Sequence, residues 1–287
     1  MVLTAEQREQ FHRDGCAISF HPLRYELSPI VRYLVIRGFV APEDVRTLLG
    51  RSKELLQEFS LEDHPLTKFT TGDDDGEGHI GDAYFLESGD KIRYFLEEDA
   101  VVDGKLNRPK DKAVNKIGHG TRCSSSTLAK VTLENERMRT LVRDLQFHRD
   151  PIALQSMVIT KQPQIVGEHN DSKCTAENGA LSFLPGSHLT TPITKRFVRL
   201  PEGGTGFEPL VTAERIAAPA NNAYILETCE PGDLVLIHGA VVHKSERNTS
   251  DKTRFAYTFH MIEAGAKYDE KNWLQPTAAM PFSRILA

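Results

Sequence analysis

Residues 230–260 read EPGDLVLIHGAVVHKSERNTSDKTRFAYTFH, and they restrict the fold more than any other part of the chain. Two apolar runs of strand-forming residues, 234–237 and 255–259, flank a polar segment rich in turn formers. That is the pattern of two paired strands. Similar short runs come before them. Residues 153–160 end at Pro163, and residues 180–184 follow an Asn178-Gly179 hairpin signal and lead into a Pro185-Gly186 turn. Many short strands punctuated by turns, preceded by helices, predict helices packed on a β-sandwich or jelly roll.

The helical patterns lie earlier in the chain. Thr4 and Gln7 form a capping-box pair that opens a short helix through about Phe11, ending near Gly15. Pro42 starts an amphipathic helix with Val45, Leu48, Leu49, Leu55, Leu56 and Phe59 at near-helical spacing. Residues 135–147 place Met138, Leu141, Val142 and Leu145 on one helical face. Residues 33–39 and 90–95 read as strands, while 60–82, 121–127 and 190–222 read as loops or connectors. A calcium loop at Asp73-Asp74-Asp75 is disfavoured, because the alternation and the closing glutamate are wrong. The expectation is one domain over 1–287, mainly β with flanking helices. Its helical part reaches to about residue 150 and its β core spans about 151–265.

Composition narrows the partners. With 287 residues, 39% hydrophobic and carrying a net charge of -5, the chain can bury a sizeable core and offers no basic surface for nucleic acid. No apolar run approaches the roughly 20 residues of a membrane span. The N-terminus lacks a signal-peptide pattern and the C-terminal SRILA is no peroxisomal address. Cys16, Cys123, Cys174 and Cys229 show no CxxC pair, which suits reduced thiols in an intracellular, cytoplasmic protein.

The chemistry-bearing residues are a His169-Asn170-Asp171 triplet, a histidine in the 230–260 stretch, and Arg254. In a strand, residues i and i+2 share a face, so His169 and Asp171 can offer an imidazole and a carboxylate to one metal. Two histidines and one carboxylate make the facial triad of a non-haem iron(II) site. His119, His148, His188, His238, His243 and His260 compete for the third place; His238 and His243 are the serious pair, and spacing does not choose between them. Arg254 opens an apolar strand with no matching carboxylate nearby. A buried guanidinium there needs an acid partner, and an incoming dicarboxylate would supply it through bidentate hydrogen bonds.

QSMVITKQP, the HxD triplet, ENGALSFLPGSH, PGDLVLIHGAVVHKS and NWLQPT resemble the phytanoyl-CoA dioxygenase family. The likeness covers nearly the whole chain and is most specific from residue 223 onward. It implies a double-stranded β-helix (jelly-roll, cupin-like), iron(II), 2-oxoglutarate and O2, with ascorbate as reductant and a small or acyl-type substrate. It makes His169, Asp171 and His243 the iron ligands, choosing His243 over His238, and sets 2-oxoglutarate against Lys116, Met157, Ser245 and Arg254.

Three segments depart from the family pattern. Only residues 172–177 separate Asp171 from the Asn178-Gly179 turn, where relatives carry a further strand with a tryptophan. Six extended residues reach roughly 20 Å, too short for a strand out and back. One core strand is therefore expected to be missing after the HxD motif, and one wall of the site with it, since Trp273 lies far downstream. Residues 16–32 split a segment that is continuous in relatives, and residues 121–129 replace another; altered exon boundaries would produce all three. The competing expectation is a pseudo-enzyme of the same fold that binds metal or ligand without turnover. A metal-dependent hydrolase is disfavoured for want of a second carboxylate or base.

Overall fold

The computed structural model describes residues 2–14, 33–68, 82–121, 126–163, 169–171, 173–210, 223–278 and 280–286. The expectations for Asp73-Asp74-Asp75 and for residues 16–32 lie outside them. Helix α1 (Ala5–Asp14) opens on the capping box read from the sequence: Thr4 N–H donates to Gln7 Oε1 at 2.8 Å and Gln7 N–H to Thr4 Oγ1 at 3.1 Å. Strand β1 (Tyr33–Ile36) follows, then helix α2 (Pro42–Glu58), whose Leu55 and Leu56 are buried. Helix α3 (Ala83–Leu86) leads to β2 (Ile92–Leu96), the short pair β3 (Val101–Val102) and β4 (Lys105–Leu106), helix α4 (Lys110–Ala113) and β5 (Val114–His119). Helix α5 (Ser126–Val131) begins inside the segment read as loop. Helix α6 (Glu136–Leu145) buries Met138, Leu141, Val142 and Leu145, as its periodicity predicts, and Asn135 Oδ1 caps it by accepting from Met138 N–H at 3.0 Å.

The remaining elements are strand-dominated: β6 (Pro151–Lys161), β7 (His169–Asp171), β8 (Leu181–Phe183), helix α7 (Ser187–Thr190), β9 (Lys195–Arg199), β10 (Thr205–Pro209), β11 (Ile225–Glu227), β12 (Leu234–Ile237), β13 (His243–Ser245), β14 (Lys252–Glu263) and β15 (Ser283–Arg284). One large sheet has the order β2-β5-β6-β14-β7, with β15 also on β6; a smaller one has the order β11-β8-β13, and β1 pairs with β12. Residues 33–119 thus contribute strands to the sheets as well as helices around them. Every pair in the large sheet is antiparallel except β7 on β14, which is parallel. Among the described residues, no strand intervenes between Asp171 and Cys174.

Three sequence expectations need correction. The runs 234–237 and 255–259 are both strands but do not pair with each other: β12 pairs with β1, and β14 with β6 and β7. Apolar alternation marks a strand without naming its partner. Asn178-Gly179 forms a turn but no two-strand hairpin. Cys174 and β8 both pair with the single segment 225–229, so the chain loops out and returns to the same line. The supposed connector 190–222 contains the β9–β10 hairpin, turned at Gly203 and Gly204, both at positive φ.

Strand β1 shows how the layers are joined, because all four of its residues are buried. Leu34 and Ile36 face a core with α1, α6 and Ala153 of β6. Tyr33 and Val35 face the opposite way, toward Phe183 and Val241, with the Tyr33 ring stacked on Phe183 at 3.8 Å. A third core sets α2 and α5 against Ile117 and Val158, on the outer face of the large sheet. Truncating a side chain on the fully buried side of β1 removes packing that joins two layers. Leu34→Ala should therefore lower the unfolding free energy by about 2–5 kcal/mol in a urea titration. A loss under about 1 kcal/mol would show that β1 does not carry this packing.

Candidate functional site

Regular pairing in the large sheet decides which residues share its inner face. Arg254 lies opposite Lys161, Ala256 opposite Ile159 and Thr258 opposite Met157; Lys116 and Gly118 of β5 lie opposite the same Ile159 and Met157. Directly opposed residues point the same way. Arg254, Lys161, Met157 and Lys116 therefore lie on one face, opposite to the one that carries Ile117 and Val158 into the helix-covered core. Gly118 keeps the spacing close, since a Cβ there would sit 3.1 Å from the Met157 Cβ. Strand β7 lines up beside β14 with His169 at the register position of Lys252 and Asp171 at that of Arg254.

The smaller sheet supplies the other side. His243 and Ser245 lie on β13, paired with Phe183 and Leu181. Ser245 Oγ donates to the Gly179 carbonyl at 2.6 Å and accepts from Lys161 Nζ, while Arg254 Nη1 donates to that same carbonyl at 2.7 Å. One carbonyl oxygen thus ties Arg254 on the large sheet to Ser245 on the small one. The Asn178-Gly179 turn makes this possible. Asn178 is buried, with Oδ1 accepting from Thr175 N–H and Nδ2 donating to Lys173 O, and Gly179 has φ +78°.

The two rival histidines have different hydrogen-bond settings. His243 Nδ1 lies 3.0 Å from the Val241 carbonyl, which can only accept, so Nδ1 carries the proton and Nε2 keeps its lone pair. This is the tautomer a metal-binding imidazole needs. His238 is the reverse: its Nδ1 accepts from Ala240 N–H at 3.1 Å, and its ring packs against Phe147 and His188. His260 joins the site from β14, hydrogen bonded to Gln155 at 2.9 Å; burial lowers its pKa first, and the Lys116 and His243 charges add to that. His243 and His260 both present surface to solvent. The side chains of His169 and Asp171 lie outside the described residues. Among those described, no three histidine, cysteine or carboxylate groups form a metal-holding set.

Cations dominate the inner face. Arg254 is 5% exposed; its Nε–H is buried and has no hydrogen-bond partner among the described residues, and Nη1 also meets Cys174 Sγ at 3.0 Å. Lys116 is 7% exposed, and burial pushes it down to about 7 against the opposing pull of Glu97. Between that value and the ordinary lysine range the folded state binds fewer protons than the unfolded one, so this group's contribution to stability rises with pH across the window. Burial also lowers Lys161 to about 8, with the Arg254 charge adding to the shift. A buried guanidinium beside two ammonium groups disfavoured by burial is a combination that a carboxylate would satisfy through charge-assisted hydrogen bonds.

Sequence reasoning missed Lys161, Gly179 and Cys174 as members of this group; His260 was among the competing histidines. Trp273, far downstream, packs its ring 4.9 Å from His119 and 4.5 Å from Phe85. His119 is fully enclosed there, its Nδ1 2.6 Å from Ser88 Oγ, and desolvation holds its pKa well below the usual histidine range. No local signal in the sequence could have brought residue 273 to His119.

The architecture is that of the double-stranded β-helix oxygenases. The crystal structure of the epimerase SnoN in complex with Fe3+, alpha ketoglutarate and nogalamycin RO superposes with a TM-score of 0.53, covering 96% of this chain and 97% of that one at 13% identity. The phytanoyl-CoA dioxygenase (PhyH) family pattern matches residues 171–256. The chain is 35% identical over 307 residues to the phytanoyl-CoA dioxygenase domain-containing protein 1 homolog of Caenorhabditis briggsae, covering 98% of this chain and 99% of that protein. It is 37% identical over 279 residues to phytanoyl-CoA dioxygenase domain-containing protein 1 of Rattus norvegicus, covering 87% and 93% respectively. This chain belongs to the phytanoyl-CoA dioxygenase family.

The shared carbonyl depends on the backbone at Gly179, where any Cβ would collide with the Glu246 carbonyl and approach Lys161 Nζ to 2.9 Å. Gly179→Ala should lower stability by about 1–3 kcal/mol, from strain at positive φ and the displaced contact. Thermal unfolding checks this, and an unchanged midpoint would remove the turn from the site's framework.

Proposed function

We propose that this chain is an iron(II)- and 2-oxoglutarate-dependent dioxygenase that hydroxylates a small or acyl-type substrate, working as a single domain over 1–287. The observation that carries the proposal is the orphaned Arg254 Nε–H, buried on the inner face at the register position of Asp171. His169, Asp171 and His243 would hold the iron; the ferrous ion, with 2-oxoglutarate and O2, supplies the oxidation through positions the three ligands leave open. Arg254 would take the far carboxylate of 2-oxoglutarate, with the Gly179 carbonyl fixing the guanidinium plane. Ser245 Oγ and Lys161 Nζ already form a polar pair at this wall, and Lys116 adds a second cation deeper on the same face. Met157, buried on the same face opposite Gly118 and Thr258, would shield this wall from water. The Val241 carbonyl holds the His243 ring in its metal-binding tautomer. The family relationship and the shared fold support this reading, and among the described residues no helix is long and apolar enough to cross a membrane.

A second reading rests on the direct passage from Asp171 to Cys174 and the thiol contact with Arg254. On that reading the chain binds metal and 2-oxoglutarate without turnover. Succinate release from 2-oxoglutarate under oxygen separates the two.

Losing one partner of a buried charged contact costs roughly 3–5 kcal/mol. Arg254→Ala should therefore weaken 2-oxoglutarate binding by about two to four orders of magnitude in an anaerobic iron(II) titration followed by the visible charge-transfer band. A change below tenfold would take Arg254 out of the site. His243→Ala should abolish iron-dependent turnover, and full retention would point back to His238. The lowered Lys116 pKa sets the pH dependence. A bound carboxylate favours the ammonium form, so binding takes up a proton once pH exceeds about 7. The dissociation constant should be flat below that value and rise by up to about tenfold per unit above it. Glu97, His119 and His260 also act on this lysine, and Lys161 titrates near 8. Lys116→Met, which should remove the earlier part of the rise, isolates its share. A pH-independent affinity in the unmutated protein would contradict the assignment.

A further inference from the structure

Cys174 and Cys229 stand directly opposite each other in an isolated antiparallel bridge. Cys174 N–H donates to the Cys229 carbonyl at 2.8 Å, and Cys229 N–H to the Cys174 carbonyl at 3.1 Å. Reciprocal bonding of this kind sets two Cα atoms about 5.5 Å apart. That separation falls within the range a disulfide spans, and opposed residues project their side chains to the same side. Both cysteines are free thiols, and both are partly exposed to solvent. Cys174 also differs from an ordinary surface thiol, because its Sγ accepts from Arg254 Nη1 at 3.0 Å. A thiol beside a guanidinium and facing a second thiol is the arrangement of a reactive cysteine with its resolving partner.

We infer that Cys174 and Cys229 form a reversible redox pair, oxidised by peroxide, whose disulfide loosens Arg254. The effect on 2-oxoglutarate rests on the reading of Arg254 given above; formation of the disulfide does not. The Cys174 sulfur attacks one peroxide oxygen. The O–O bond breaks, one oxygen stays on sulfur as a sulfenic acid, and the other leaves as water after taking up a proton. The Cys229 sulfur then attacks Cys174 Sγ. The S–S bond forms as the S–O bond breaks, and the hydroxyl departs as a second water with the Cys229 proton. Two thiols are oxidised by two electrons in all, and one hydrogen peroxide is reduced to two waters. Burial, with the neighbouring Cys174 adding to it, pushes the Cys229 thiol up to about 12, so Cys229 is not the thiol that meets peroxide first.

The consequence follows from the contacts. Turning toward Cys229 withdraws Cys174 Sγ from the guanidinium, leaving Nη1 with the Gly179 carbonyl alone. The same movement pulls on residues 173–175, where Lys173 O and Thr175 N–H hold the Asn178 side chain that frames the Gly179 turn. The clamp loses one partner and part of its support, so the oxidised protein should bind 2-oxoglutarate about three- to tenfold more weakly.

The test uses the full chain carrying Cys16→Ser and Cys123→Ser, loaded with iron only after peroxide has been applied and removed. Peptide mapping without reductant should show the peptides containing Cys174 and Cys229 joined and two hydrogens lighter than their sum, with dithiothreitol separating them. The anaerobic 2-oxoglutarate titration should show the three- to tenfold loss, restored by dithiothreitol. Adding Cys229→Ser should abolish the link and leave the peroxide-treated Cys174 peptide carrying added oxygen. No joined peptide, or a joined peptide with unchanged 2-oxoglutarate affinity, overturns the inference. If the reduced protein binds no 2-oxoglutarate, the functional reading of Arg254 fails and the linked arrangement proposed here fails with it. The mass of the joined peptide still reports separately whether the two thiols couple.

Discussion

A buried guanidinium governs the inside of this molecule. Desolvating a full charge is expensive, and among the described residues a backbone carbonyl and a thiol offset that cost for Arg254. The carbonyl belongs to Gly179, and the Ser245 hydroxyl uses it as well, so the electrostatic demand of one strand fixes the position of another. Among the described residues the Nε–H of that guanidinium is left without an acceptor.

The rest of the fold keeps this arrangement rigid. The outer face of the large sheet is covered by α2 and α5, which anchor Ile117 and Val158, while the inner face carries Lys116, Met157, Lys161 and Arg254. On the other side β1 is clamped between two cores, so β12 and the smaller sheet do not drift relative to α1 and α6. Burial on this face disfavours the charged form of its lysines, and for Lys161 the Arg254 charge adds to that. Lys116 and Lys161 are the clearest cases. His243 and His260 remain exposed to solvent.

How much was legible in the sequence depended on the range of the interaction. The Thr4–Gln7 capping box, the apolar stripe of α6 and its Asn135 cap, and the long strand β6 all rest on contacts within a few residues or on a single repeating face, and the chain spelled them out. The HxD triplet and Arg254 stood out for a similar reason: each is an unusual residue type at a strand-like position. The choice between His238 and His243 was not legible in spacing. The backbone groups beside the two Nδ1 atoms differ, an N–H for His238 and a carbonyl for His243, and they sit two residues away in different turn geometries. Family likeness favours His243 as the ligand.

The amino-acid order by itself determined the kind of protein this is: a strand-rich domain with helices on one flank, an HxD triplet and a strand-opening arginine. These follow from local propensity, from period, and from side-chain chemistry. Tertiary structure alone decided which strands meet, that Trp273 packs against His119, and that a single glycine carbonyl serves Arg254 and Ser245 together. Strand pairing and shared hydrogen bonds are settled by competition among distant segments for burial and for polar partners, and no local window of sequence contains both sides of that competition.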